Sequence, residues 1–532
     1  MSPAAASGAR PPVALAAAGL AVVGLLALPL VYLVLRAASG DAWDVLVSDD
    51  LARLIWDTGV LVVVVTLSTL ALGVPLAWLV VRTDLPGRAL WGTAAALPLV
   101  VPSYVAALVL LAAFGPRGML QRLLEPLGVE RVPEIYGLPG AWLALTLSTY
   151  PFVFLLAASA LRALDPALED AARGLGRTPF EAFRLVTLPV LRPALGAGAL
   201  LVALYVLSDF GAVSLMQYDS LTRAIYLQYR SLFDRTPAAV LSLVLVALTG
   251  LVLVLELRMR GRAVARYQRA GTGTPRRARP VALGRWRWPS LLFCSLAVGF
   301  ALVVPILVLV YWAARAFARP EAVEWSWQPV VGSVSVSLVA AAVAMLATLP
   351  VAILAVRYPS GWTTALERIS YAGNALPGIV IALALVFFAA NYAAPIYQTT
   401  ALLVFAYVVR FFPQALAGSH SALLRVSPRL EEAGRGLGRS PQVVFARVTT
   451  PLVAPGLLAG AALVFLSTMK ELPATLLLRP IGFETLATEI WKYTSVAAYS
   501  RAALPALVLI AVSAPIVYLL GVRSGSDIET PG

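Results

Sequence analysis

Few side chains in this sequence are suited to bond-making chemistry. Its 532 residues include one histidine, His420, one cysteine, Cys294, and two lysines, Lys470 and Lys492. A cysteine-based zinc site, a histidine-rich metal centre or an intrachain disulfide needs more than one such residue, so all three are excluded. A phosphate-cradling P-loop needs Gly-Lys-Ser/Thr. Lys470 follows Met469 and Lys492 follows Trp491, so any ATP that drives this protein is bound by another chain. What remains is a set of ionisable groups in apolar surroundings. Asp209 and Glu471 stand near the ends of apolar stretches, 262 residues apart, and Arg410 lies inside another. Hard cations favour oxygen donors, and Tyr205, Tyr218, Tyr226 and Tyr229 are near in sequence. A charge inside a bilayer usually faces protein or water, so Asp209, Glu471 and Arg410 are candidates for a translocation path. Arg410 would line that path or contact a neighbouring acid. The alternative is structural: the two acids mark helix ends, Glu471 pairs with Lys470, and Arg410 snorkels or pairs structurally. No firm metal site follows from either reading.

The elements that would position these groups are membrane helices. Sixty per cent (60%) of the chain is apolar and only 13% is charged, with a mean hydropathy of +0.85. A soluble surface needs about twice that charge. A hydrocarbon core of roughly 30 Å takes about 20 apolar residues per helix. Twelve such stretches are present: 13–35, 58–81, 90–114, 141–161, 188–208, 237–257, 289–313, 329–356, 371–391, 399–418, 451–469 and 502–522. The first is longer than a signal peptide's apolar core and is expected to be retained. An even number of spans puts both termini on one side. The connections on that side carry a large arginine excess, which marks it as cytoplasmic. The net charge of +14 is therefore mostly a topology signal. Ten arginines fall between Arg258 and Arg287, as expected of a cytoplasmic linker; a lipid- or nucleic-acid-binding patch is the alternative.

The chain also repeats itself. LEDAARGLGRTPFEAFRLVTLPVLRPAL from Leu168 matches LEEAGRGLGRSPQVVFARVTTPLVAPGL from Leu430, at a constant offset of 262. Pro75 and Arg82 match Pro350 and Arg357 at 275, and Ala96-Leu97-Pro98 matches Ala375-Leu376-Pro377 at 279. The offset spans six helices, so both halves insert in the same direction. The expected fold is an all-α integral membrane protein of two parallel six-helix repeats. Residues 1–257 form the first half with a cytoplasmic loop at 165–189. Residues 258–288 form the linker. Residues 289–532 form the second half with its loop at 427–451. Each loop reads as a short helix, a glycine turn and a second helix. Pro166 suits a first helical turn, and Gly174 and Gly176 can end the helix with a left-handed residue. Thr178 and Glu181 then form a capping box, for which the second copy has Ser440 but Val443 in place of the acid.

This spacing resembles the coupling loop of ABC importer permeases: acid-Ala-Ala, a glycine, a β-branched residue and Leu-Pro. The first copy supplies Asp170-Ala171-Ala172, Gly176, Val186 and Leu188-Pro189. The second supplies Glu432-Ala433-Gly434, Gly438, Val448 and Thr450-Pro451. Asp170, Gly434 and Thr450 depart from the usual Glu, Ala and Leu. The resemblance implies the type I importer permease fold in the bacterial inner membrane, in contact with lipid. It also implies two ATP-binding partner subunits at the loops and a periplasmic substrate-binding protein outside. The permease itself would hold no cofactor, catalyse no reaction and bind no nucleic acid, ATP being used by the partners. Two halves fused in one chain are similar to iron(III)-type and thiamine-type permeases. LSDFGAVSLMQYDSLTRAIYLQY from Leu207 and MKELPATLLLRP from Met469 resemble the iron(III) group. Thiamine remains the alternative cargo. A twelve-helix secondary transporter would have no reason to duplicate such a loop. A polytopic membrane enzyme would need a larger extramembrane region than any connection here.

Overall fold

A computed structural model of the protein describes residues 11–38, 45–116, 118–128, 133–231, 236–267, 280–318, 325–371, 373 and 376–526. Residues 268–279 of the expected linker, and Ala375 of the matched tripeptide, lie outside the described residues. The principal helices are α1 (Val13–Ala38), α2 (Asp49–Arg82), α3 (Arg88–Ala96), α4 (Ser103–Phe114), α5 (Leu138–Ala163), α6 (Pro166–Gly174), α7 (Leu188–Ser208) and α8 (Thr236–Tyr267). They continue with α9 (Arg287–Val298), α10 (Val304–Phe317), α11 (Gln328–Arg357), α12 (Gly361–Tyr371), α13 (Gly378–Tyr392) and α14 (Thr400–Leu424). The last are α15 (Pro428–Gly436), α16 (Thr450–Met469), α17 (Pro473–Leu478) and α18 (Tyr499–Ser526). Among the described residues, eleven helices are long and apolar enough to cross a membrane. In hydrocarbon each backbone N–H needs a partner, and a helix supplies one within its own segment.

Two expected spans have a different shape. The stretch 90–114 is broken: α3 runs into a tight turn at Leu97–Val100, and α4 restarts after Pro102. The stretch 371–391 is broken in the same way, α12 ending at Tyr371 and α13 starting after Pro377. Pro102 (φ −62°, ψ 151°) and Pro377 (φ −59°, ψ 147°) have the same extended backbone. Their carbonyls accept from Val105 and Ala106, and from Val380 and Ile381. Structural equivalence therefore runs at offset 275, the offset of Arg82 and Arg357. The match of Pro98 to Pro377 at 279 is a chance identity one helical turn out of register. After the break, α4 is buried from Ser103 to Ala113 and α13 from Gly378 to Phe387. A helix apolar on every face is a core helix, and at 15 residues α13 is short for a span.

The chain packs as two compact units. One comprises Val47–Ala224, Ala247–Glu324 and Ile490–Gly532. Its core joins α2, α5, α7 and α9, with Tyr150, Phe154, Leu161 and Leu191 fully enclosed. Cys294 is a buried filler there. Helix α10 packs on α18 and α4. The other unit comprises Met1–Leu46, Ile225–Val246 and Trp325–Glu489. Here α11, α14 and α16 pack together, and α1 lies along α11, α12 and α13. Tyr32 meets Phe388 and Tyr392 edge-on, at 5.8 and 6.0 Å between ring centres. The compact units thus cut across the sequence halves 1–257 and 289–532. The first helix of each half packs with the core built from the other.

Lipid is as apolar as a leucine side chain, so helix association depends on close approach and buried hydrogen bonds. Gly73 of α2 lies against α5, where an added Cβ would stand 3.0 Å from the Phe154 nitrogen and 3.1 Å from the Tyr150 oxygen. At offset 275 the second half has Thr348, whose hydroxyl is 2.9 Å from that of Ser419 on α14. Gly73→Val should force α2 and α5 apart and cost about 1–3 kcal/mol. A lowered thermal unfolding midpoint in lipid–detergent micelles would register it, and an unchanged midpoint would contradict this packing.

Candidate functional site

The two loops are alike in detail. Asp165 caps α6, its Oδ1 accepting from the Ala167 nitrogen at 3.0 Å, and Pro166 occupies the first turn. The helix ends on Gly176, at φ +83°. The Gly176 N–H donates to the Arg173 carbonyl (3.0 Å) and the Arg177 N–H to the Ala172 carbonyl (3.2 Å). This paired closure needs a left-handed residue, and glycine takes it without a Cβ penalty. In the second copy Gly438 stands at φ +77°, Gly438 donating to Arg435 and Arg439 to Gly434 at 2.9 and 3.3 Å. Gly174 and Gly436 are ordinary helical residues.

The capping box at Thr178 is present. Glu181 N–H donates to Thr178 Oγ1 (3.3 Å), and Thr178 N–H donates to Glu181 Oε2 (2.9 Å). The Thr178 N–H holds the Glu181 carboxyl below its ordinary value, burial opposing and the Thr178 hydroxyl and Arg177 assisting. The second copy keeps half of this arrangement, Val443 N–H donating to Ser440 Oγ at 3.4 Å. The Gly434 departure also has a packing reason. A Cβ there would stand 3.0 Å from Val444 Cγ2, and the first copy has the pair Ala172 and Ala182 at the same positions. A larger residue on one helix is matched by a smaller one on its neighbour.

Asp170, Ala171, Glu432 and Ala433 are exposed, Ala172 and Gly434 half-buried. Leu188 is half-buried, while Pro189 and Pro451 are exposed at the start of α7 and α16. Beside the acids each loop shows solvent an apolar tip. Leu175 is 84% exposed and Leu437 83%, with Leu168 and Leu430 also exposed. Leucines held out at equivalent positions, among charges, form a surface suited to a partner.

Sequence reasoning missed the residue beside each motif acid. Glu169 Oε1 accepts from Arg82 Nη2 at the end of α2 (3.1 Å) and from the Thr187 hydroxyl. Glu431 Oε1 accepts from Arg357 Nη2 (2.9 Å), Arg357 Nε (3.2 Å) and the Thr449 hydroxyl (3.1 Å). Thr187 and Thr449 end π-helical turns, Phe183–Thr187 and Phe445–Thr449, that lead into α7 and α16. The signal was available: Leu-Glu is identical in both copies, whereas the acid after it changes from Asp170 to Glu432.

The membrane carboxylates also occupy equivalent settings. Asp209 follows α7 and is buried. It accepts from the Ser103 hydroxyl and from the Ala212 and Val213 nitrogens (2.9 and 3.4 Å). Glu471 follows α16 and is buried. Its Oε1 accepts from the Ala474 nitrogen (3.3 Å), and its Oε2 is 2.9 Å from Arg410 Nε. Each acid folds over the first N–H groups of a helix that restarts, where negative charge is favoured. Arg410 does not simply snorkel, because its guanidinium meets Glu471 inside the protein. Gly378 makes room for the pair: a Cβ there would lie 2.4 Å from Glu471 Oε1 and 2.7 Å from Arg410 Nη1. At offset 275 the first half has Ser103, which donates to Asp209 instead. Tyr218 is a protonated donor to the Asp57 carbonyl (2.7 Å), burial pushing its hydroxyl up to about 12. Tyr205 packs at a tilt against Phe152 and Tyr229 against Phe387, at 5.8 and 6.1 Å between ring centres. Among the described residues no cluster of three or more His, Cys, Asp or Glu side chains is arranged to hold a metal ion.

The profile of the family described as "Binding-protein-dependent transport system inner membrane component" matches twice, over residues 70–260 and 344–522, each match containing one loop. The chain is 33% identical over 505 residues to the Fe(3+)-transport system permease protein FbpB 2 of Haemophilus influenzae, covering 94% of this chain and 96% of that protein. It is 36% identical over 199 residues to a probable molybdenum ABC transporter permease of Haloferax volcanii, covering 36% of this chain and 71% of that one. A solved structure of the MetNI methionine ABC transporter, inward facing, aligns at 19% identity with a TM-score of 0.30, over 38% of this chain and 97% of that one.

Proposed function

The chain belongs to the family of binding-protein-dependent transport system inner membrane components, and from that premise we propose that it carries ferric iron across the bacterial inner membrane. It is an ABC importer permease, a transporter and not an enzyme. The observation that carries the cargo assignment is the 33% identity, over 94% of this chain, with an Fe(3+)-transport permease, a match that includes both halves. Thiamine is the competing cargo. A periplasmic binding protein delivers the ion. Two ATP-binding subunits dock at the loops, one on Asp170–Gly176 and one on Glu432–Gly438, and they alone use ATP. Both termini face the cytoplasm, lipid surrounds the spans, and no nucleic acid is involved. Asp209, Glu471 and Arg410 are the residues we assign to the ion's path. Two weakly binding carboxylates suit passage better than one tight cage.

Native mass spectrometry of the solubilised importer should give one permease chain to two ATPase subunits. A stable complex with two permease chains would contradict the reading that the fused chain completes the pore. In proteoliposomes, uptake of labelled iron but not of labelled thiamine, each with its binding protein, is the expected result. Thiamine uptake alone would reverse the cargo assignment.

A further inference from the structure

We propose that Arg82 and Arg357 are positioning residues that transmit the movement of each loop helix into the membrane. The proposal rests on the reading that the ATPase subunits dock at these loops. The loop helices α6 and α15 are solvent-facing over most of their length. In each, one glutamate turns inward. Glu169 and Glu431 act as hubs, a single oxygen taking hydrogen bonds from two other elements. One donor is the arginine that ends α2 or α11. The other is the threonine that ends the π-turn before α7 or α16. A force on the loop helix is thus carried to two transmembrane helices through one carboxylate. Charge-assisted bonds are the strongest available for this, and a partly buried pair is little screened. The arginines repeat at 275 and the hub residues at 262, the structural offsets of their helices. A loop that served only as a docking surface has no need of a duplicated inward anchor.

The two hubs differ in strength. Arg357 makes three hydrogen bonds, two to Glu431 and one from Nη2 to the Val426 carbonyl at 3.1 Å. Arg82 makes one to Glu169. The end of α2 has a second brace, however. Val281 pairs in parallel with Thr83, its N–H donating to the Arg82 carbonyl (2.8 Å) and its carbonyl accepting from Asp84 (3.1 Å). Leu283 N–H donates to Asp84 Oδ1 at 2.8 Å. The end of the linker therefore holds α2 in place beside the first hub, whereas the second relies on its arginine. Loss of Arg357 should do more harm than loss of Arg82.

The test uses the full chain in proteoliposomes with its ATPase and binding protein, reading labelled iron imported per ATP hydrolysed under binding-protein stimulation. Arg357→Met keeps the length of the stem and removes the guanidinium. It should lower iron per ATP about tenfold, within the span of typical site-to-site couplings, while the ATPase still co-purifies. Arg82→Met should lower it less. Arg357→Lys, which restores the charge, should recover part of the loss, and Glu431→Gln should reproduce it. Because the ratio is taken per turnover, a smaller folded fraction does not mimic the effect. Wild-type iron per ATP in Arg357→Met would show the hub to be a static brace and overturn the proposal. Loss of the ATPase from Arg357→Met would also overturn it, by making the arginine a support for docking. If the wild-type chain itself fails to hold an ATPase, the docking reading falls and this proposal falls with it.

Discussion

Gly176→Val and Gly438→Val together should leave a chain that inserts normally but neither holds its ATPase partners nor imports iron. Both glycines sit at positive φ, and apart from their own chain neighbours no atom lies within 4 Å of where a Cβ would be placed. The effect is therefore one of backbone conformation, not of crowding. A side chain in the left-handed region costs roughly 1–2 kcal/mol, and a β-branched one is among the worst suited. Opening the turn removes the paired bonds from residues 176 and 177, and from 438 and 439, to the ends of α6 and α15. It also swings Leu175 and Leu437 away from the proposed docking surface. If docking needs both turns, the two strains together weaken association on the order of a hundredfold. Co-purification of the ATPase and iron uptake would both record this. Gly174→Ala with Gly436→Ala is the control, since these neighbours are helical and also have nothing within 4 Å. Alanine there should be neutral or stabilising by roughly 0.4–1 kcal/mol. Full uptake by the double valine variant would show that the loops are not couplers.

The motif glycines Gly176 and Gly438 take the left-handed backbone, while Gly174 and Gly436, beside them, stay helical. The duplicated loop, its caps and the six-helix repeat were legible, since proline, capping residues and apolar period act locally. The break before α4 was not, because Ala96-Leu97-Pro98, which matches Ala375-Leu376-Pro377 in sequence, lies one turn before Pro102, the structural equivalent of Pro377. The packing of α1 with the second-half core was also hidden. Its faces are generic Leu, Val and Ala, which hydropathy identifies as a span without naming a neighbour. Departures from the repeat proved informative once neighbours were known. Gly434 answers Val444, and Gly378 answers Arg410.

Arg410→Met should have the largest effect on stability. The obvious neighbour of Glu471 in sequence is Lys470, yet the carboxylate's ion pair is with an arginine 61 positions earlier, on α14. Removing the guanidinium leaves Glu471 as a buried charge, which typically costs about 3–5 kcal/mol. The thermal unfolding midpoint of the single variant should fall accordingly. Arg410→Met combined with Glu471→Gln removes both charges and retains an acceptor for the Ala474 N–H. Replacing both partners of a buried pair is often close to neutral, so the double variant should recover most of the stability. It then becomes the instrument for the ion path. If Glu471 gives iron a transient ligand, the recovered double variant should import iron poorly while its ATPase still turns over, and Asp209→Asn should compound the loss. Wild-type uptake by the double variant, with Asp209→Asn also silent, would make both carboxylates caps for the restarting helices Gly211–Leu215 and Pro473–Leu478 and nothing more. The two roles differ in what they require. A cap needs only an acceptor, which glutamine and asparagine retain, whereas a ligand for a trivalent cation needs the charge.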